Sequence, residues 1–121
     1  KLSMRIFYYL SSCDTCKRIQ AELSLDASIQ RVDIKKNPLN AVQLDALHTL
    51  SGSYEALFSK RAQLYKQRNL KEQALSETDF RALLLEHYTF LKRPVLLYDS
   101  KLFVGNTAKV IAEAKAFLDE Q

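Results

Sequence analysis

An α/β fold built on a mixed four-stranded sheet, with an all-helical insertion, is what this sequence predicts, and three observations carry the prediction. Its segments read strand–helix–strand, then a long helical stretch, then strand–strand–helix, so a parallel pair and a hairpin share one sheet. The 121 residues hold only two glycines and two prolines, which argues against a loop-rich all-β chain and for long helices. Apolar residues supply 47% and charged residues 26%, a balance that builds a core and argues against disorder. The length suits one domain and leaves no room for a second core of ordinary size.

Apart from Arg5, Met4–Leu10 is apolar and rich in β-branched and aromatic residues, as a buried parallel or central strand would be. The three residues before it, Lys1-Leu2-Ser3, are expected to be a vector remnant. Ser11-Ser12 break the strand and Cys13 opens a helix. In that helix Cys16, Ile19, Leu23 and Ala27 recur at helical spacing and are expected to face the sheet. Ile29–Ile34 reads as the second strand. Asn37-Pro38 signals a helix start, an N-cap followed by proline. Leu39, Val42, Ala46, Leu47 and Leu50 are expected on its buried face until Ser51-Gly52 stops it.

Beyond that stop, Ser53 is expected to cap a short helix carrying Leu57 and Phe58, and residues 61–67 to continue after a break. Ser76-Glu77-Thr78-Asp79 resembles a capping box with aspartate in place of glutamate. Phe80, Leu83, Leu84 and His87 follow at helical spacing, so residues from about 38 to 88 read as wholly helical. Val95–Tyr98 and Leu102–Val104 are short strands joined by Asp99-Ser100-Lys101. Thr107 is placed to cap a last helix whose Val110, Ile111, Ala114, Phe117 and Leu118 form an apolar stripe.

Eighteen basic and 14 acidic residues leave a net charge of +4, a mild excess that fits many enzymes as well as nucleic-acid binders. Lys60, Arg61, Lys66, Arg68 and Lys71 occur with no acid until Glu72. That run reads either as a solvated helix face or as a surface for an anion or acidic partner. No apolar run approaches the roughly 18–20 residues of a membrane span, and the apolar stretch Ile6–Leu10 is too short for a secretion signal. The expected compartment is the cytoplasm.

Two cysteines occur, Cys13 and Cys16, in one Cys-Asp-Thr-Cys unit. A disulfide across two intervening residues would restrict the unfolded chain little, so the pair reads better as redox-active or metal-binding. Zinc would need further ligands, and only His48 and His87 offer themselves, at a spacing that matches no finger pattern. Both histidines also read as packed or hydrogen-bonded core residues. Free cysteine, with a pKa of about 8.5, supplies little thiolate at neutral pH. A cysteine at a helix N-terminus faces unpaired amides and the positive end of the dipole, which stabilise its anion. Cys13 stands at that end. Cys16, one turn later, reads either as a small core residue or as the thiol that attacks a mixed disulfide on Cys13. Arg93-Pro94 ahead of the third strand is a second clue, since proline biases Arg93 toward extended geometry; an ordinary edge-strand proline is the alternative.

Taken together, Tyr9-Leu10-Ser11-Ser12-Cys13-Asp14-Thr15-Cys16-Lys17, Arg93-Pro94-Val95-Leu96-Leu97 and Val104-Gly105-Asn106 resemble the arsenate reductase (ArsC)/Spx family from Met4 onward. The resemblance implies a single domain, 4–121, with a thioredoxin/glutaredoxin-like fold, a helical insertion at about 38–88 and a cis Arg93–Pro94 bond. It also implies Cys13, Cys16 and Arg93 as catalytic residues and Ser12, Arg61 and Pro94 as substrate- or anion-binding ones. No metal and no bound cofactor are expected, with glutathione or a glutaredoxin or thioredoxin as reductant.

Three functions follow from the resemblance. The first is a thiol–disulfide oxidoreductase or arsenate reductase-like enzyme with Cys13 as nucleophile and Cys16 as resolving thiol. The second is a glutathione/glutaredoxin-dependent arsenate reductase, which in the family binds the oxyanion with three arginines. Here Arg93 matches one, Ser59 stands at another with Arg61 two residues on, and Gly105-Asn106 stands at the third; lysine would not replace the lost bidentate donors. The third is an Spx-like redox-sensing regulator that binds the RNA polymerase α subunit, with Gly52 and Arg61 near the positions that family uses. The expected partners are thus a small oxyanion or protein disulfide, a glutaredoxin or thioredoxin, or the polymerase α subunit. A monomer without membrane or direct nucleic-acid contact is expected.

Overall fold

The computed structural model describes residues 4–121, so the expected vector remnant at 1–3 lies outside the described residues. Along the chain the elements are β1 (Arg5–Tyr9), α1 (Asp14–Leu23), β2 (Gln30–Asp33), α2 (Ala41–Ser51), α3 (Gln63–Gln67), α4 (Glu77–Glu86), β3 (Val95–Tyr98), β4 (Lys101–Val104) and α5 (Ala108–Asp119). Single 3-10 turns occupy Glu55–Leu57, Leu70–Glu72 and Tyr88–Phe90. Two compact units result, one of residues 4–37 with 93–121 and one of Pro38–Lys92.

The first unit holds the sheet, in the order β2-β1-β3-β4. β1 is central, as the apolar run Ile6–Leu10 predicts. It pairs parallel with β2, Tyr9 opposite Asp33, and antiparallel with β3, Phe7 opposite Leu96. β3 and β4 form the expected hairpin. Asp99 takes the left-handed conformation (φ 54) in a two-residue turn, so Lys101 pairs with Tyr98 and belongs to β4 rather than to the loop. On one sheet face Phe7, Leu96 and Tyr98 pack with Ile19 and Leu23 of α1, Ile29, and Ile111 and Ala114 of α5. Each such large apolar side chain contributes roughly 1.5–3 kcal/mol by leaving water. Thr107 caps α5 as expected, its hydroxyl accepting the Val110 N–H at 3.2 Å.

α1 is shorter than its apolar spacing suggests. Ser24 enters the left-handed region (φ 51) and ends the helix, so Ala27 lies beyond it and is exposed. Cys16, Ile19 and Leu23 are the residues that α1 buries.

In the second unit, α2 begins three residues later than Asn37-Pro38 suggests. Asn40 is the cap: its side chain accepts the Gln43 N–H at 2.8 Å while the Gln43 side chain accepts the Asn40 N–H at 3.0 Å. That reciprocal box satisfies two orphan donors at once, which Asn37 followed by proline does not. The helix then buries Leu44 and Leu47. Val42 is 80% exposed, Leu50 is 39% exposed, and Ala46 is exposed too. At 3.6 residues per turn, Val42 stands about 160° around the helix from Leu44, so the expected stripe was two faces read as one. Gly52 ends α2 with φ 86, a conformation glycine adopts at no steric cost.

The Ser76 capping box forms with Asp79 as its partner. Ser53 accepts the Ala56 N–H at 3.1 Å and so starts the first 3-10 turn. The core of this unit centres on Phe58, stacked on Phe90 (5.1 Å) and edge-on to Phe80 (4.9 Å) and Tyr65 (5.8 Å). Within the basic run, Lys60 pairs with Glu55 at 2.6 Å and Arg68 pairs with Glu86, while Arg61, Lys66 and Lys71 are exposed. His87 accepts the Thr89 N–H through Nδ1 at 3.1 Å, and His48 stacks on Tyr54 at 4.0 Å; both are half-buried.

Arg81 binds Asp45 through two nitrogens at 2.9 and 3.0 Å, and the Tyr54 hydroxyl donates to it at 2.6 Å. Those donors, Arg81 first, hold the Asp45 carboxyl down at about 2. A carboxyl more acidic in the folded chain stabilises it above the unfolded pKa, and that contribution disappears as pH falls. Denaturant unfolding followed from pH 3.8 down to about 2 should therefore show stability falling in the wild type and less steeply in Asp45→Asn.

Candidate active site at the head of the first helix

β1 runs through Leu10 into a tight turn closed by the Cys13 N–H, which donates to the Leu10 carbonyl at 3.0 Å. Cys13 is the N-cap of α1, in extended geometry (φ −97, ψ 114), and Cys16 is one turn inside. Cys13 is half-exposed; Cys16 is 0% exposed, and both thiols are free. The helix begins here because strand geometry ends at Ser11-Ser12 while Ile19 and Leu23 supply the face that docks on the sheet.

The two thiols are driven in opposite directions. Partial burial pushes Cys13 up, but the amides of Cys16 and Thr15, the Cys16 thiol and the Arg93 charge outweigh it, so its acidity is greater than that of an ordinary thiol. No capping hydrogen bond of ordinary geometry forms from the Cys13 side chain. The favourable field comes from amides converging on a large, soft sulfur at the positive end of the dipole. At Cys16, burial dominates and the neighbouring Cys13 adds to it, and against the Leu10 amide and Arg93 they carry the thiol to about 11.

The charge of Arg93 acts on both thiols because of strand pairing. Val95, the first residue of β3, lies opposite Tyr8 near the end of β1, so the residues just before Val95 stand beside the Cys13 turn. The Arg93–Pro94 peptide bond is cis, in agreement with the expectation. Pro94 is buried, and its carbonyl accepts the Gly105 N–H at 2.9 Å, tying the start of β3 to the turn after β4.

A model of the ArsC family matches residues 8–114. The chain belongs to the ArsC family. Among curated relatives it is 29% identical over 109 residues to the global transcriptional regulator Spx 2 of Bacillus cereus, covering 84% of this chain and 79% of that protein. It is 32% identical over 107 residues to an uncharacterized protein of Haemophilus influenzae, covering 84% of this chain and 90% of that one. An arsenate reductase from Vibrio cholerae superposes with a TM-score of 0.75 at 20% identity, over 94% of this chain and 99% of the other. The fold of this ArsC-family chain is accordingly thioredoxin-like.

Of the residues singled out from the sequence, Ser12, Cys13, Cys16, Arg93 and Pro94 lie in the first unit, and the charge of Arg93 acts on both thiols. Ser12 is exposed in the turn. Arg61 is an exposed residue of the second unit. Asn106 is exposed after Gly105. Lys17 and Arg18 are exposed, and Arg18 lies 3.6 Å from Glu22. Among the described residues no three His, Cys, Asp or Glu side chains gather as a metal site, and no helix is long and apolar enough to cross a membrane. Sequence spacing does not pair Ser11 with Asp33, whose side chains bond at 2.6 Å beside the thiol turn. An acid at the last position of a strand bordering a cysteine turn was the available signal.

Held at about 11, against about 8.5 for free cysteine, Cys16 carries roughly a few hundredfold less thiolate at neutral pH. Alkylation of the folded protein followed by mass spectrometry should modify Cys13 first, with Cys16 reacting at least about a hundredfold more slowly until the chain unfolds. Arg93→Ala should raise the Cys13 titration midpoint, read by thiolate ultraviolet absorbance against pH.

Proposed function

We propose that this ArsC-family protein is a thiol–disulfide oxidoreductase that uses Cys13 as nucleophile and Cys16 as resolving thiol. The observation that carries the reading is the opposed acidity of two thiols one turn apart, the half-exposed one favoured as an anion and the buried one held protonated. The Cys13 thiolate attacks one sulfur of a substrate disulfide, forming a mixed disulfide and expelling the other sulfur as a thiolate. Bonding to substrate removes the Cys13 charge that helps keep Cys16 protonated. Cys16 then loses its proton to the departing thiolate and attacks Cys13. The Cys13–Cys16 disulfide forms, the substrate's second sulfur leaves, and two electrons have passed to the substrate. An external thiol, glutathione or a glutaredoxin or thioredoxin, restores the dithiol. Arg93 stabilises the attacking anion.

Mild oxidation of the purified protein should produce an intramolecular Cys13–Cys16 disulfide. With a disulfide substrate and a thiol reductant, Cys13→Ser should abolish turnover, and Cys16→Ser should accumulate the mixed disulfide on Cys13, visible as an intact-mass increase. Full turnover in Cys16→Ser would overturn the resolving role. Arsenite production from arsenate with glutathione and glutaredoxin, retained in Cys16→Ser, would instead favour a single-cysteine arsenate reductase.

A second reading is favoured by the Spx 2 relative. In it, the same dithiol senses oxidants and its state controls binding to the RNA polymerase α subunit. Pull-down with the α subunit should then recover reduced and oxidised protein unequally. Absence of binding in both states removes this reading.

A further inference from the structure

Asp33 is the one buried charged side chain among the described residues, 8% exposed at the last position of β2. Its carboxylate is well supplied with donors. Oδ2 accepts the Ser11 hydroxyl at 2.6 Å and Oδ1 accepts the Lys35 N–H at 3.1 Å. The Ser11 hydroxyl, the Lys35 and Ser11 amides and the Lys36 charge hold Asp33 more acidic than an ordinary aspartate despite its burial. Charge-assisted hydrogen bonds of this kind are about twice as strong as neutral ones.

The residue that Asp33 grips is one position from the residue that grips the thiols. Leu10 takes the Cys13 N–H on its carbonyl, and its backbone amide favours the Cys16 thiolate. Ser11 follows directly. The Leu10–Ser11 segment is thus held from one side by the Asp33 carboxylate and from the other by the cysteine pair. The ladder reinforces the arrangement, because Ile34 N–H donates to the Tyr9 carbonyl at 2.9 Å and closes β2 against the end of β1.

We propose that Asp33, acting through Ser11, is a positioning residue of the thiol site: the Ser11–Asp33 bond sets the turn 10–13 that presents Cys13 to the amides at the head of α1. The proposal rests on the thiol-redox reading of Cys13, and the sign of its effect separates it from plain electrostatics. Removing a nearby negative charge alone would favour the Cys13 thiolate. Releasing the turn disfavours it, because the sulfur drifts from its amides.

The test is thiolate absorbance against pH, with neutral-pH alkylation rate, in wild type, Asp33→Ala and Ser11→Ala. Asp26→Ala serves as control, since Asp26 also accepts a serine hydroxyl and amide, from Ser28, elsewhere in the same unit. Both Asp33→Ala and Ser11→Ala should raise the Cys13 midpoint and slow alkylation several-fold, and the double variant should be no worse than either single. Asp26→Ala should match wild type. Because truncating a buried carboxylate can also loosen the strand end, Ser11→Ala, which removes one hydroxyl and leaves Asp33 in place, carries the result wherever Asp33→Ala fails to fold. A depressed wild-type midpoint that stays put or falls further in a folded variant overturns the positioning role alone. An ordinary midpoint in the wild type overturns the oxidoreductase reading as well.

Discussion

The junction between β1 and α1 is the constraint on which this protein's chemistry depends. A central strand hydrogen-bonded on both sides, to β2 and to β3, has no freedom to slide. Its last peptide groups are therefore fixed in space, and the Leu10 carbonyl fixes the Cys13 N–H in turn. The amides that open α1 then arrive at the Cys13 sulfur without any reorganisation when the thiolate forms. Preorganised dipoles of this kind stabilise charge better than solvent or mobile side chains do.

Burial divides the labour between the two sulfurs. They share Arg93 and lie one turn apart, yet Cys16 is fully enclosed and Cys13 is not. Enclosure penalises the anion at Cys16, and a second negative charge beside Cys13 would penalise it again. One thiolate at a time is the stable arrangement.

Much of the architecture was legible because it is written in local chemistry. β1 is readable from the apolar run Ile6–Leu10, the β3–β4 hairpin from the Asp99-Ser100-Lys101 connection, the start of α5 from Thr107 and that of α4 from Ser76 with Asp79. Misreadings arose where two local signals competed or where a face had to be chosen. Asn40 with Gln43 outcompeted Asn37-Pro38 as the start of α2 because it satisfies two backbone groups. Val42, Ala46 and Leu50 are apolar like Leu44 and Leu47, and nothing in their spacing says which set the unit buries. The basic run likewise looked unpaired along the chain, although Glu55 and Glu86 neutralise two of its members.

The candidate site divides along the same line. Cys13 and Cys16 at a strand-to-helix turn, and Arg93 before a proline, are spacing facts, readable because helix dipoles and proline geometry act over a few residues. Which thiol is open and which is sealed depends on the packing of α1 against the sheet. That the charge of Arg93 acts on both thiols depends on the pairing of β3 with β1, and that Ser11 meets Asp33 depends on the register of β2. Contacts between segments far apart in the chain are selected by the summed burial and pairing of the whole sheet, and no short stretch of residues carries that sum.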